Sequence, residues 1–267
     1  MITVGDIWRD IVKIRTGAPL IHNITNYVVM NTTANALLSI GASPVMAHAV
    51  DEVEEMTGLA SALVLNIGTL SEPWIEAMFK AAGAARRKKI PVVLDPVGAG
   101  ATGLRTETAR RLVAEGCPSI IRGNGSEILA LVEAKGETKG VDSRHAAEAA
   151  LEAAREISRA RGCAVSISGP VDVIVKGGDV IRVANGHPMM PRVTGLGCTA
   201  TALTGAFAAV NPVPLRAAAH AMAVMGIAGE MAAEKASGPG SFQMRFLDAL
   251  FVLDEDAIAS RLRVESA

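Results

Sequence analysis

The chain has 267 residues, enough for one large domain or two small ones and for a sizeable core without disulfide or metal staples. Two Trp, one Tyr and five Phe, 3% of the residues, exclude a base-stacking platform. Lys and Arg number 26 against 27 Asp and Glu, so a net charge of −1 leaves no electrostatic footprint for nucleic acid or anionic membrane. Cys117, Cys163 and Cys198 are far apart and lack CxxC spacing, which predicts neither disulfides nor structural zinc and fits a reducing, cytoplasmic setting. Charges at Asp6, Arg9, Asp10 and Lys13 interrupt the apolar run that a signal peptide needs. Mean hydropathy is high, at +0.33. The uncharged stretch Val193–Leu215 nevertheless holds three Gly, four Thr and two Pro, which makes a poor membrane span.

Thr3 and Asp6 have capping-box spacing before a first helix whose Ile7, Ile11 and Ile14 share a face. Pro19–Ile24 predicts a strand, Tyr27–Ile40 a helix stopped by Gly41, Ser43–Ala47 a short strand and Asp51–Ala60 an acidic helix. Strands over Ser61–Ile67, Ile90–Asp95, Ser119–Arg122 and Ala164–Ser168 then alternate with helices over Glu72–Lys89, Thr106–Glu115, Ser126–Ala134 and His145–Arg161. That alternation means parallel βαβ units. Val171–Val175 and Asp179–Val183, separated by Lys176-Gly177-Gly178, predict an antiparallel hairpin at one edge. From Leu196 the chain is nearly all helix, over 197–210, 214–236 and 241–251, before a charged tail. We expect one α/β domain over 1–267: a mainly parallel sheet flanked by helices, with a hairpin edge and a helical C-terminal third.

In such a sheet ligands bind beyond the carboxyl ends of the strands. Those tips carry His22-Asn23-Ile24-Thr25-Asn26, then Met46-Ala47-His48, Asp95-Pro96, Arg122-Gly123-Asn124 and Ser168-Gly169. Gly98, Gly100 and Gly103 form a GxGxxG, but Asp95-Pro96 intervenes and no ribose-binding acid ends the next strand, which disfavours a nicotinamide site. Thr194-Gly195-Leu196-Gly197-Cys198 opens an uncharged helix. Its backbone N–H groups and helix dipole make it the best phosphate cradle in the chain, although a plain loop-to-helix junction reads the same way. Cys198 at that N-terminus suggests a thiol with a lowered pKa, or simply a small buried hydrophobe. Asp95 and Glu127 suit Mg²⁺ beside substrate phosphates, or a cap and a surface charge. The five His residues show no metal-ligand pairing.

Five segments in order resemble the hydroxyethylthiazole kinase family: HNITN (22–26), GASPVMA (41–47), LDPVGAGAT (94–102), RGNGSE (122–127) and VTGLGCTATA (193–202). The resemblance runs from about residue 5 to 250. It implies a ribokinase-like fold and ATP-dependent phosphorylation of the hydroxyl of 5-(2-hydroxyethyl)-4-methylthiazole in thiamine biosynthesis, by a homotrimer with sites at subunit interfaces. It further implies Asn26, Met46 and Gly195 in the thiazole pocket and Arg122, Asn124, Ser168 and Gly197 on ATP. Asp95 and Glu127 would hold Mg²⁺, and Cys198 would act on the hydroxyl. Ser168 stands where Thr is common and keeps the hydroxyl; Leu196 replaces a frequent polar residue without touching the backbone donors. A hydroxymethylpyrimidine kinase of the same fold is the nearest alternative, disfavoured by Cys rather than Asp at 198. A non-catalytic nucleotide-binding protein is the alternative of another class.

Overall fold

The computed structural model describes residues 2–132 and 143–266. Short, almost uninterrupted apolar runs become strands β1 (Leu20–Ile24), β3 (Ala62–Asn66), β4 (Val92–Asp95), β5 (Ile120–Asn124) and β6 (Ala164–Ser168), covered on both faces as parallel strands require. With β2 (Ser43–Val45), β7 (Asp172–Lys176), β8 (Asp179–Val183) and β9 (Val264–Ser266) they form one nine-stranded sheet in the order β2-β1-β3-β4-β5-β6-β7-β8-β9. Pairing is parallel from β2 to β6 and antiparallel from β6 to β9.

One face of the sheet carries α3 (Val53–Leu59), α4 (Glu72–Lys88), α5 (Gly103–Glu115), α6 (Gly125–Val132) and α7 (Ser143–Arg161). The other carries α1 (Val4–Gly17), α2 (Met30–Ile40), α8 (Leu196–Val210), α9 (Pro214–Lys235), α10 (Pro239–Val252) and α11 (Glu255–Arg261). Helix α8 has no charged residue and is buried from Thr199 through Ala208, as a helix apolar on all sides must be. It lies against β1, β3 and β4, which places its N-terminus over the strand tips. Asp10 of α1 and His220 of α9 meet in this layer: His220 Nδ1 lies 2.7 Å from Asp10 Oδ2, which also accepts from Asn211 Nδ2 at 2.6 Å.

Several boundaries differ from those expected. Helix α2 starts at Met30 rather than Tyr27, because Asn26 Oδ1 accepts from the Val28 N–H at 3.1 Å and folds a turn first. Helix α5 starts at Gly103 rather than Thr106, since Thr102 Oγ1 caps it by accepting from the Arg105 N–H at 3.3 Å. Only half of the expected capping box forms on α1: Thr3 accepts from the Asp6 N–H, while the Asp6 carboxylate takes Arg9. The charged tail is not a tail. Asp254 caps α11, and β9 then pairs with β8, so the hairpin is not the sheet edge. The helix predicted over Ser126–Ala134 begins at Gly125, and its last two residues lie outside the described ones.

Candidate active site

Parallel pairing brings the carboxyl ends of β1, β3, β4, β5 and β6 side by side. The register sets Asn66 directly beside Asp95, each the last residue of its strand. A chain of short hydrogen bonds crosses these tips. Asn26 Nδ2 donates to Asn66 Oδ1 at 2.8 Å, and Asn66 Nδ2 donates to Asp95 Oδ2 at 2.8 Å. Thr201 Oγ1, one turn into α8, donates to the same Asp95 oxygen at 2.7 Å. Asn26 Nδ2 also reaches Cys198 Sγ at 3.5 Å. Gly68 forms the floor under Asn26, where any Cβ would lie 2.5 Å from Nδ2.

Asp95 is only 2% exposed, and burial, helped by the Glu127 charge, pushes its carboxyl up to about 6 against the opposing effects of Arg122, Thr201 and Asn66. Glu127 spends each oxygen on a backbone donor: Oε1 accepts from the Gly98 N–H at 2.9 Å and Oε2 from the Asn124 N–H at 2.8 Å. The formal GxGxxG turn therefore grips a carboxylate of the chain itself.

The Thr194–Gly197 turn leads straight into α8. Gly195 has φ of +82°, and a Cβ there would fall 2.6 Å from Val29 Cγ1, so only glycine fits without displacing α2. No side chain caps the helix, which leaves its first N–H groups open. Arg122 donates from Nη1 to the Gly197 carbonyl at 2.9 Å, while its buried Nε has no partner. Beside them opens a cavity of about 880 Å³ bounded by Arg122, Ser168, Asp172, Gly195, Gly197 and α9. Uncapped helix N–H groups beside such a cavity are the signature of an anion site.

The hydroxyethylthiazole kinase family model matches residues 11–256. The chain belongs to the hydroxyethylthiazole kinase family. It is 57% identical over 258 residues to hydroxyethylthiazole kinase of Nitratidesulfovibrio vulgaris strain Miyazaki F, with 97% of each chain covered. Against that of Oleidesulfovibrio alaskensis it is 61% identical over 245 residues, covering 92% of each. The structure of hydroxyethylthiazole kinase protein from Pyrococcus horikoshii OT3 is similar with a TM-score of 0.90 at 43% identity, covering 98% of both chains. Pyridoxal kinase from Staphylococcus aureus in complex with AMP-PCP and pyridoxal shares the fold alone, with a TM-score of 0.66 at 15% identity over 93% of this chain and 98% of that one. The expected ribokinase-like architecture is the observed one.

On this hydroxyethylthiazole kinase scaffold the expected residues fall into two groups. Arg122, Ser168, Gly195 and Gly197 line the large cavity. Asn26, Asp95 and Cys198 belong to the hydrogen-bonded group, and Asp95 and Glu127 lie close enough for one charge to raise the other. Asn124 and Met46 line no part of the cavity. Asn124 Oδ1 accepts from the Glu127 N–H and from Ser126 Oγ, opening α6. Met46 follows β2, on a tip held by the hydrogen bond from His22 Nε2 to the Ala47 carbonyl at 2.8 Å. One expectation is reversed: burial, then the Asp95 charge, push the Cys198 thiol up to about 11 rather than down. Sequence reading passed over Asn66 and Thr201, which complete the Asp95 environment. The end position of Asn66 in an apolar strand was the available signal; Thr201 gave none, being one of four Thr in an uncharged stretch.

Proposed function

We propose that this chain transfers the γ-phosphoryl group of ATP to the hydroxyl of 5-(2-hydroxyethyl)-4-methylthiazole. The carrying observation is the position of the uncapped α8 N-terminus between the donor cavity and the Asn26–Cys198–Asp95 group. Phosphoryl transfer passes through a loose transition state, so the protein's task is alignment and charge stabilisation. The open N–H groups of residues 194–198 receive the phosphates, with the charge of the Arg122 guanidinium beside them and the Ser168 hydroxyl, which here donates to the Gly123 carbonyl at 3.3 Å, on the same cavity wall. Asn26, Met46 and Gly195 receive the thiazole alcohol. The Cys198 thiol is neutral at physiological pH and orients the hydroxyl through hydrogen bonding instead of serving as a strong base.

Mg²⁺ fits the donor set, which is two neighbouring carboxylates beside a phosphate cradle, all oxygen. Asp95 and Glu127 would hold it, and when bound it neutralises charge on the phosphates. The exposed Tyr27 and Val28, directly after Asn26, support a homotrimer whose interface completes the thiazole pocket. Among the described residues no helix is long and apolar enough to cross a membrane, in keeping with a cytoplasmic enzyme of one domain.

The test is ADP release from Mg-ATP by the purified protein, with the thiazole alcohol or hydroxymethylpyrimidine as acceptor. Release that depends on the thiazole alcohol supports the assignment; release only with the pyrimidine moves it to the sister kinase, and release with neither overturns it. Light scattering on a sizing column tests the trimer.

A further inference from the structure

We infer that the donor site holds the nucleotide base by apolar contact and takes purine nucleoside triphosphates without strict selection for adenine. The inference rests on the kinase reading above and concerns the apolar part of the cavity wall. Met222 and Met225 of α9 line it, with Pro188, Met190, Pro191 and Val193 of the strap over residues 185–193, which also brings Asn185, Gly186 and His187 to the cavity.

The strap's N–H groups from Gly186 to Val193 and its one amide side chain are bonded within the chain. Asn185, the obvious side chain for reading a base edge, is saturated: its Nδ2 donates to Glu230 Oε1 and the Arg261 carbonyl, and its Oδ1 accepts from the Arg263 N–H. The Gly186 N–H donates to Glu230 Oε1 at 2.8 Å, the His187 N–H to Met190 Sδ, and the Met190 N–H to the His187 carbonyl. The Met189 N–H donates to His187 Nδ1 at 3.2 Å. That last bond makes Nδ1 an acceptor and leaves the proton of the neutral ring on Nε2. His187 Nε2–H is then the one side-chain donor that the strap brings to the cavity wall without a partner among the described residues. One donor matches a ring-nitrogen acceptor that adenine, guanine and hypoxanthine all present. It has no means of rejecting a 6-oxo group in favour of a 6-amino group.

Magnitudes separate the two possible outcomes. A pocket built on apolar contact distinguishes ligands that differ by one group about 10- to 200-fold, whereas a pocket that pairs the group with its own polar atoms does so about 10⁴-fold or more. The experiment measures kcat/KM with ATP, GTP and ITP as donors and the thiazole alcohol as acceptor, following GDP or IDP formation chromatographically so that trace ATP cannot mimic turnover. GTP and ITP within about 200-fold of ATP is the expected result. Larger rejection means that a strap carbonyl reads the adenine amino group, and it overturns the inference. Absence of turnover with ATP itself instead overturns the kinase reading. His187→Ala is expected to lower kcat/KM about 3- to 10-fold for ATP and GTP alike, the worth of one neutral hydrogen bond, and His187→Gln, which keeps a donor, to restore part of it. A change of more than tenfold in the ATP-to-GTP ratio on His187→Ala would show that this ring selects the base, against the inference.

Discussion

Thr201→Val is nearly isosteric and removes one of the two hydrogen bonds that favour the charged form of Asp95. Asp95 is buried, and its carboxyl already stands at about 6 with both bonds in place. A hydrogen bond to an ionised group is worth about 1.5–3 kcal/mol, and 1.36 kcal/mol is one pH unit, so losing it raises the carboxyl by about one to two pH units. In the proposed reaction the carboxylate form of Asp95 is the one that serves. Activity is therefore present above the folded-state value and lost as pH falls through it. The acid limb of kcat/KM, which reports the free enzyme, is expected near pH 6 in the native protein and higher in the variant. With that displacement the ionised fraction falls about 3- to 25-fold at pH 6.5 but less than about 1.5-fold at pH 8.5. The assay is ADP release at subsaturating alcohol from pH 5 to 9. A loss of equal size at every pH, with the acid limb unmoved, would refute the reasoning and leave Thr201 as a packing residue.

Cys198→Ala is expected to keep the shape of the pH profile between pH 6 and 9, because burial holds the native thiol near 11 and neutral across that range. A loss confined to the alkaline limb would restore the thiolate as base. Gly195→Ala places a Cβ against Val29 at φ of +82° and is expected to cost about 1–3 kcal/mol, seen in urea denaturation, with a raised KM for ATP as the turn shifts. His220→Ala strips a partner from buried Asp10 and is expected to destabilise by about 3 kcal/mol, read from the urea midpoint. Burial works to raise the Asp10 carboxyl, but the hydrogen bonds from His220 and Asn211 win and hold it below its ordinary value of 3.8. Its contribution is accordingly full above about pH 4 and lost as pH falls through the depressed folded value. Native protein should lose stability there more steeply than the variant does.

The parallel core was legible because its strands are short apolar runs punctuated by helices, a pattern with few other solutions. The donor side of the site was legible for a related reason: Gly195 and Gly197 before an uncharged helix are a backbone device, and backbone devices need particular residues. Strand β9 was hidden, since three residues after a charged helix carry no periodicity and only the exposed edge of β8 makes them a strand. Asn66 and Thr201 were hidden because hydrogen bonds across 29 and 106 residues of chain leave no local trace. Of the two readings open for Cys198, the lowered pKa rested on the helix dipole, a local feature. Desolvation and a neighbouring carboxylate, both tertiary effects, raise the thiol instead and leave it nearer the buried hydrophobe.

In the proposed reaction the α8 N-terminus stands between the two reactants, and the residues assigned to them divide along the chain. Asn26 and Met46, assigned to the alcohol, follow β1 and β2, whereas the cavity assigned to the nucleotide is lined from β5, β6, the strap and α9. Only the turn over 194–198 serves both. Asn26 is tied to the donor side through Cys198 and through Asn66 to Asp95, whereas Met46 lies outside that hydrogen-bonded chain, so acceptor preference is freest to drift by substitutions after β2. The same partition recommends an engineering route: a library confined to the residues around Met46 searches alcohol shape while leaving Asn26 and the phosphate cradle as they are.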